Sequence, residues 1–295
     1  MTRGERHNLL KGLGFISPWI IGFAVFGLYP LGASLYYSFC DYDILNEPVV
    51  VGTLNYSEMA GDSVFWISVY NTVYFALFSI PLGLFTALMI AVLLNQKVVG
   101  RSIFRTVYFL PSIVPLIGVA MIWLWLFDGG GLVDYCLSFL GIHKGPGWLT
   151  DEQWVKPTLV LSGVWQVGGT IVIFLALQDV PRSLYESAEI DGATPVVQLR
   201  HITIPMISPA IYFCLVMGII GALQEFVRPF VMLGGTGPNR SALFYAVNLY
   251  DNAFRYLNMG YARAGVGAVR GDRAADLGRD RVEPEARSLR GEADA

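Results

Sequence analysis

Five runs of mostly apolar residues, at positions 16–39, 69–94, 108–127, 158–177 and 206–223, leave few folds open to this chain. Each is close to the roughly 20 residues that an α-helix needs to cross the hydrocarbon core of a bilayer. No water there can pair with an exposed backbone N–H or C=O, so such runs are expected to cross as helices. Composition supports this reading. Of the 295 residues 54% are apolar and 15% charged, whereas a soluble domain carries about 25% charged residues. Too few polar side chains remain to cover a water-facing surface. The expected fold class is therefore all-α, a polytopic transmembrane helix bundle with five clear spans. The first run is too long for the apolar region of a signal peptide and shows no clear cleavage site, so it is read as a retained helix.

Several prolines interrupt the runs: Pro30, Pro81, Pro111 and Pro115. Proline is tolerated in a membrane helix where neighbours or water satisfy the freed carbonyls. Pro111 and Pro115 stand four residues apart near the start of the third run. They mark either ordinary kinks or irregular backbone beside a solute path.

Orientation follows from Lys and Arg at the ends of the runs. Arg3, Arg6 and Lys11 precede the first run, and Lys97, Arg101 and Arg105 follow the second, while the intervening stretch 41–66 has neither Lys nor Arg. This places the N-terminus in the cytoplasm and 41–66 outside. By alternation 128–157 lies outside and 178–205 returns to the cytoplasm. Arg228, Arg240 and Arg255, in the last outside segment, run against the pattern without reversing it.

Several function classes are poorly served. Cys40, Cys136 and Cys214 lack metal-ligand spacing, and His7, His143 and His201 are scattered, so no metal site is expected. No basic stripe suggests nucleic acid. No Gly-Lys dipeptide occurs, so the chain cannot supply the phosphate-binding lysine of a P-loop, and no cofactor is expected in it. A secondary transporter would need coupling-ion residues in its spans, and few ionisable residues are there. A membrane enzyme would need converging nucleophile, base or metal groups, and none stands out.

The segment 178–205 is the most informative. Ser183 followed by Glu186 has the spacing of a capping box, so a short helix is expected to start at Ser183. Leu184, Ala188 and Ile190 give that helix an apolar side. Asp191-Gly192 reads as a stop and turn, after which a second short helix starts at Thr194 or Pro195. A helix–turn–helix with small residues at its bend suits docking into a partner's cleft.

The pattern Glu-Ser-Ala-x-x-Asp-Gly-Ala followed by Ile-x-Ile-Pro resembles the EAA motif of ABC importer permeases. The resemblance implies that this segment is the coupling helix seated on a cytoplasmic ATPase subunit. It assigns the coupling positions to Glu186, Ser187, Ala188, Asp191, Gly192, Ala193, Ile202 and Pro205. Ser187 stands where Ala is usual, and Leu199 where Phe is common. Further segments resemble the carbohydrate-uptake branch, the maltose and glycerol-phosphate permease type. They are Tyr29-Pro30 through Phe39, Val51-Gly52-Thr53-Leu54-Asn55-Tyr56, Tyr70-Asn71-Thr72, Phe230 through Asn239, Tyr250 through Phe254 and Met259-Gly260-Tyr261-Ala262. The likeness runs from about residue 13 to 262, and its opening favours the first-type subunit. It implies a MetI-like fold in a bacterial-type cytoplasmic membrane. It implies as partners the ATPase subunits that bind ATP, a second homologous permease, an extracytoplasmic solute-binding protein and membrane lipid. The expected function is the permease of an ATP-driven, binding-protein-dependent importer of sugars or related polyols. The alternatives are a secondary solute transporter and an assembly-defective, truncated permease.

A sugar path wants amide and hydroxyl donors facing a wet cavity. Gln166 and Thr170 in the fourth run, and Gln224 and Glu225 at the end of the fifth, are the candidates. Helix–helix hydrogen bonding accounts for a lone Gln or Thr equally well.

After Ala262 the character changes. Residues 263–295 hold seven Arg and seven acidic residues but no Lys, Ile or aromatic. The division expected is a transmembrane permease domain at 1–262, with its coupling loop at 178–205, and a disordered tail at 263–295. The family pattern calls for a sixth membrane helix where this tail begins. Codons can be chosen for residues 265–277 that, read one base later, spell Ala-Trp-Val-Leu-Phe-Val-Val-Ile-Val-Leu-Leu-Thr, so a frameshift replacing the final helix is permitted.

Overall fold

In the computed structural model, residues 3–96, 100–142, 145–164 and 167–268 are described. They are almost wholly helical and fall into two units, residues 62–248 and the flanking segments on either side of them.

The first run belongs to a helix that starts earlier than the apolar residues do: α1 (Arg3–Phe23), a π turn (Ala24–Leu28) and α2 (Tyr29–Ser38). Pro30 lies two residues past the π turn, inside a helix that continues through it, and contributes no N–H to the ladder there. From Lys11 to Ser38 the helix is apolar and long enough to cross a membrane, and its most apolar stretch buries no residue within the protein. The chain then forms a two-residue antiparallel ribbon, β1 (Cys40–Asp41) with β2 (Val49–Val50), and the short α3 (Leu54–Gly61).

In the second unit α4 (Ser63–Asn95) is the spine. Asp62 caps its start, accepting from the Val64 N–H at 2.8 Å. At 1.5 Å rise per residue it extends about 50 Å, well beyond a hydrocarbon core of about 30 Å. Ser79, Gly83, Ala87 and Ala91 recur every four residues and are all buried. Small side chains at that spacing let neighbouring backbones approach, which is how membrane helices pack without a solvent-driven hydrophobic effect.

The third run is not one helix. Past α5 (Arg101–Phe109) comes a 3-10 turn (Leu110–Ile113), and the α-helical ladder resumes only in α6 (Leu116–Leu126), with extended backbone at Pro115. Proline has no N–H and its ring opposes the carbonyl four residues back, so two of them four residues apart break the ladder. The fourth run, after α7 (Leu132–Ser138), is covered by α8 (Glu152–Val164) and α9 (Val167–Gln178), residues 165–166 between them lying outside the described residues.

After α9 come α10 (Arg182–Ile190), α11 (Pro195–Gln198), a π turn (Leu199–Thr203), α12 (Ile204–Met206) and α13 (Ser208–Leu223). The chain bends by 69° between the stretches Pro195–Met206 and Ser208–Leu223. Pro209, in the first turn of α13, cannot extend the preceding ladder. The unit closes with α14 (Val227–Leu233) and the start of α15 (Tyr245–Tyr250).

Two apolar clusters lie along α4. One gathers Phe75, Phe127, Leu159, Leu243, Phe244 and Val247, and the other gathers Ala87, Ala91, Ile173, Phe174, Leu177 and Ile207.

Back in the flanking unit, a π turn (Asp251–Arg255) leads to α16 (Met259–Ala268), which packs on α2 and α3. The helix does not end at Ala262. Residues 263–268, the first of the segment that composition sets apart, continue it, with Ala264 fully buried and the Arg263 guanidinium 5.4 Å from the Tyr37 ring centroid. Residues 269–295 lie outside the described residues.

Candidate transport site

Within the 178–205 segment the helix cap lies two residues earlier than the capping box suggests. Pro181 is the N-cap of α10, and no side chain caps it, so Ser183 and Glu186 lie inside the helix. Proline at the cap sets the extended backbone that the first turn needs, which Ser183 therefore does not have to supply. The other end follows the sequence closely. Gly192 adopts φ +78°, its N–H donates to the Glu189 carbonyl at 3.1 Å, and the Ala193 N–H donates to the Ala188 carbonyl at 2.8 Å. These two bonds are a Schellman cap. They give a physical reason for Ala188, Gly192 and Ala193 in this pattern: a glycine where φ must be positive, and small residues where the two turns close.

The second helix then begins at Thr194-Pro195, and the pair is pinned from below. The Tyr185 and Thr203 hydroxyls are 2.9 Å apart, and Thr203 Oγ1 also donates to the Gln198 carbonyl at 3.3 Å. Tyr185 and Ile202 pack on the second apolar cluster. Several large apolar side chains stay outside. Ile190 is 88% exposed and Val196 73%, with Leu184 and Val197 beside them also exposed. Glu186, Ser187, Asp191, Gly192 and Pro205 are exposed as well, while Ala188, Ala193 and Ile202 are half-buried. Tyr185 and Thr203, which fix the turn to the bundle, were not singled out from sequence. Their spacing of 18 residues carries no local signal.

Between the two clusters α4 walls a cleft of about 520 Å³ together with α6, α9, α13 and α14. The walls are largely Gly and aliphatic, with Phe75 and Ser79 on α4 and Gln224, Glu225 and Arg228 at one end. The four candidate residues of the solute path therefore separate. Gln224 and Glu225 line the cleft. Thr170 does not; it is fully buried, with its hydroxyl 3.0 Å from that of Tyr108, the helix–helix bond that a membrane threonine often makes. Gln166 lies outside the described residues. Arg228 was noted in the sequence only as a positive charge against the orientation pattern. In the structure its Nη1 donates to Glu225 Oε2 at 3.0 Å, and its backbone N–H donates to Glu225 Oε1 at 3.2 Å.

The motifs away from the cleft act as clasps. In the second unit the buried Asn71 amide donates to the Arg240 and Leu243 carbonyls at 2.9 and 3.0 Å, and Thr72 Oγ1 accepts from the Tyr245 N–H at 2.8 Å. The loop so held includes left-handed backbone at Asn239 and Arg240. In the flanking unit the Asn55 amide donates to the Ser38 and Cys40 carbonyls, both at 2.9 Å. A side chain at Gly260 would collide with that Cys40 carbonyl.

Comparison with known proteins gives this architecture a family. Residues 79–269 match the model of the binding-protein-dependent transport system inner membrane component. The chain is 40% identical over 267 residues to the probable ABC transporter permease protein YesP of Bacillus subtilis, covering 89% of this chain and 86% of that one. It is 34% identical to the lactose transport system permease protein LacF of Rhizobium radiobacter, with 86% of each chain covered. A chain in the crystal structure of a bacterial ABC transporter involved in the import of the acidic polysaccharide alginate superposes with a TM-score of 0.75. That match has 23% identity and covers 90% of this chain and 91% of the other. The exposed helical turn, the helix-walled cleft and the clasped motifs are thus those of a multi-pass inner membrane protein, and the chain belongs to the binding-protein-dependent transport system permeases, which are transporter subunits rather than enzymes.

Proposed function

We propose that this chain is the sugar-conducting permease of an ATP-driven importer, and that α10 with α11 is the surface on which a separate ATPase subunit docks. The observation that carries the second statement is the rigid turn itself. A Schellman cap and the Tyr185–Thr203 pair hold it to the bundle, while Ile190, Val196, Leu184 and Val197 point away from the protein. Exposed apolar side chains on a turn that also exposes Glu186, Glu189 and Arg200 fit a protein groove, where their burial stabilises association. ATP belongs to that partner, since this chain has no phosphate-binding Gly-Lys. Closing of two ATPase subunits would move the turn as a body and bias the bundle between inward- and outward-facing states, which requires only that ATP binds the two states unequally. On this reading the N-terminus is cytoplasmic. A second permease completes the pore, and an external binding protein delivers solute to the cleft beside Gln224 and Glu225.

Sugar as the solute is supported by relatives named for lactose, arabinooligosaccharide and sulfoquinovosyl glycerol transport. The docking test is co-purification of the ATPase with an affinity-tagged chain from membranes. Ile190→Asp is expected to abolish it while leaving the amount of permease in the membrane unchanged. Retention of the ATPase by that variant overturns the docking assignment. Resequencing the 3′ end of the gene tests the frameshift: an extra or missing base near codons 262–265 supports it, and an unchanged frame removes it.

A further inference from the structure

The cleft is apolar along most of its length, yet it carries an ion pair at one end. Among its described lining residues Glu225 and Arg228 are the only ones with a formal charge. Both side chains are about nine-tenths buried, at 10% and 11% exposure. Both Glu225 oxygens are taken up by Arg228, Oε2 by the guanidinium and Oε1 by the backbone N–H. The guanidinium also rests 5.9 Å from the Phe75 ring centroid, and its Nη1 passes so near Gly163 that a Cβ there would stand 3.2 Å away. Its position is therefore fixed from three sides. Among the described residues its buried Nε meets no acceptor.

From this arrangement, and resting on the sugar-permease reading above, we infer that the Glu225–Arg228 pair makes the cleft selective for uncharged, hydroxyl-rich solutes over acidic ones. Arg228 lines the cleft, and of the five N–H donors of its guanidinium the Glu225 side chain takes one, from Nη1. A sugar hydroxyl both donates and accepts, so it can take a hydrogen bond from the guanidinium without bringing a charge into the cleft. A carboxylate or sulfonate approaching Arg228 also approaches the Glu225 carboxylate, which lines the same cleft 3.0 Å from the guanidinium. The pair has no net charge to compensate the desolvation of a buried anion. Glu225 thus acts as a positioning residue. It holds the guanidinium at the wall and cancels its charge.

The test uses the intact transporter, purified with its partner subunits, and reads the shift in melting temperature with millimolar saccharide. The probes are neutral disaccharides such as lactose and matched uronate-containing disaccharides. The wild-type complex is expected to be stabilised by neutral probes and little by uronates. Glu225→Gln, which leaves Arg228 uncompensated, is expected to move the neutral-to-uronate ratio of apparent affinities toward uronate by about tenfold, a modest value for one charge in a partly buried site. Glu225→Asp keeps the charge and is expected to keep the wild-type ratio. Should Glu225→Gln disturb assembly, Glu225→Gln with Arg228→Gln restores neutrality and is expected to restore the preference for neutral sugars. A wild-type complex that prefers uronates, or variants whose ratio does not follow the cleft's charge, overturns the inference alone. No response of the wild type to any saccharide overturns the sugar reading and this inference with it.

Discussion

The segments 178–205 and 234–248 both lie outside the five apolar runs, yet the protein uses them in opposite ways. In the first, the bend is satisfied locally, by the Schellman cap at Gly192 and the turn at Thr194, and Leu184, Ile190, Val196 and Val197 around it stay outside. In the second, Asn71 and Thr72 reach across from α4 to satisfy the backbone, and Leu243, Phe244 and Val247 go into the core with at most 3% exposure. The difference teaches that the fate of a loop's hydrophobic residues depends on who pairs with its carbonyls. Self-capped turns can present a surface. A loop paired by a buried amide is committed to the interior.

This contrast can be broken by mutation. Phe244, 1% exposed and tilted on Phe75 at 5.2 Å, is the largest fully buried side chain among the described residues. Phe244→Ala should cost about 3–5 kcal/mol, seen as a large drop in the melting temperature of the purified complex. Asn71→Ala leaves two carbonyls without their amide donor, at about 1–3 kcal/mol each where water cannot replace it, and proteolysis near residue 240 should rise with it. Normal melting of either variant would show that the 234–248 loop is not the core element described.

Gly192→Ala sharpens the other half. Nothing lies within 4 Å of the position its Cβ would take, so the expected loss is backbone strain alone, about 1–2 kcal/mol. A larger effect would reveal contacts at the turn beyond the cap. Ile190→Ser, at a side chain 88% exposed, should change the stability of the isolated chain by no more than about 0.5 kcal/mol, while the same change weakens ATPase retention. A stability loss like that of Phe244→Ala would mean that Ile190 is covered within this chain and is not a docking residue.

Much of the fold was legible because bilayer chemistry leaves few choices. The apolar runs at 16–39 and 69–94 became long helices, and the two prolines of the third run broke it near where they stand. Asp191-Gly192 ended a helix because a positive φ favours glycine, a purely local cause. The Ser183 cap misled for a related reason: Pro181, two residues earlier, had already fixed the cap's backbone. Thr170 and Gln224 looked alike in sequence, and only packing put one against Tyr108 and the other on the cleft.

The sequence by itself determined an all-helical membrane chain, the bend at Gly192 and the likeness to importer permeases, since each depends on composition or on neighbours a few residues apart. Tertiary structure alone decided that Asn71 fastens a loop about 170 residues away, that Asn55 and Gly260 meet at Cys40, and that Arg228 stands paired in the cleft wall. Those pairings depend on which helices lie side by side, and helix adjacency leaves no periodicity in the chain for a reader to find.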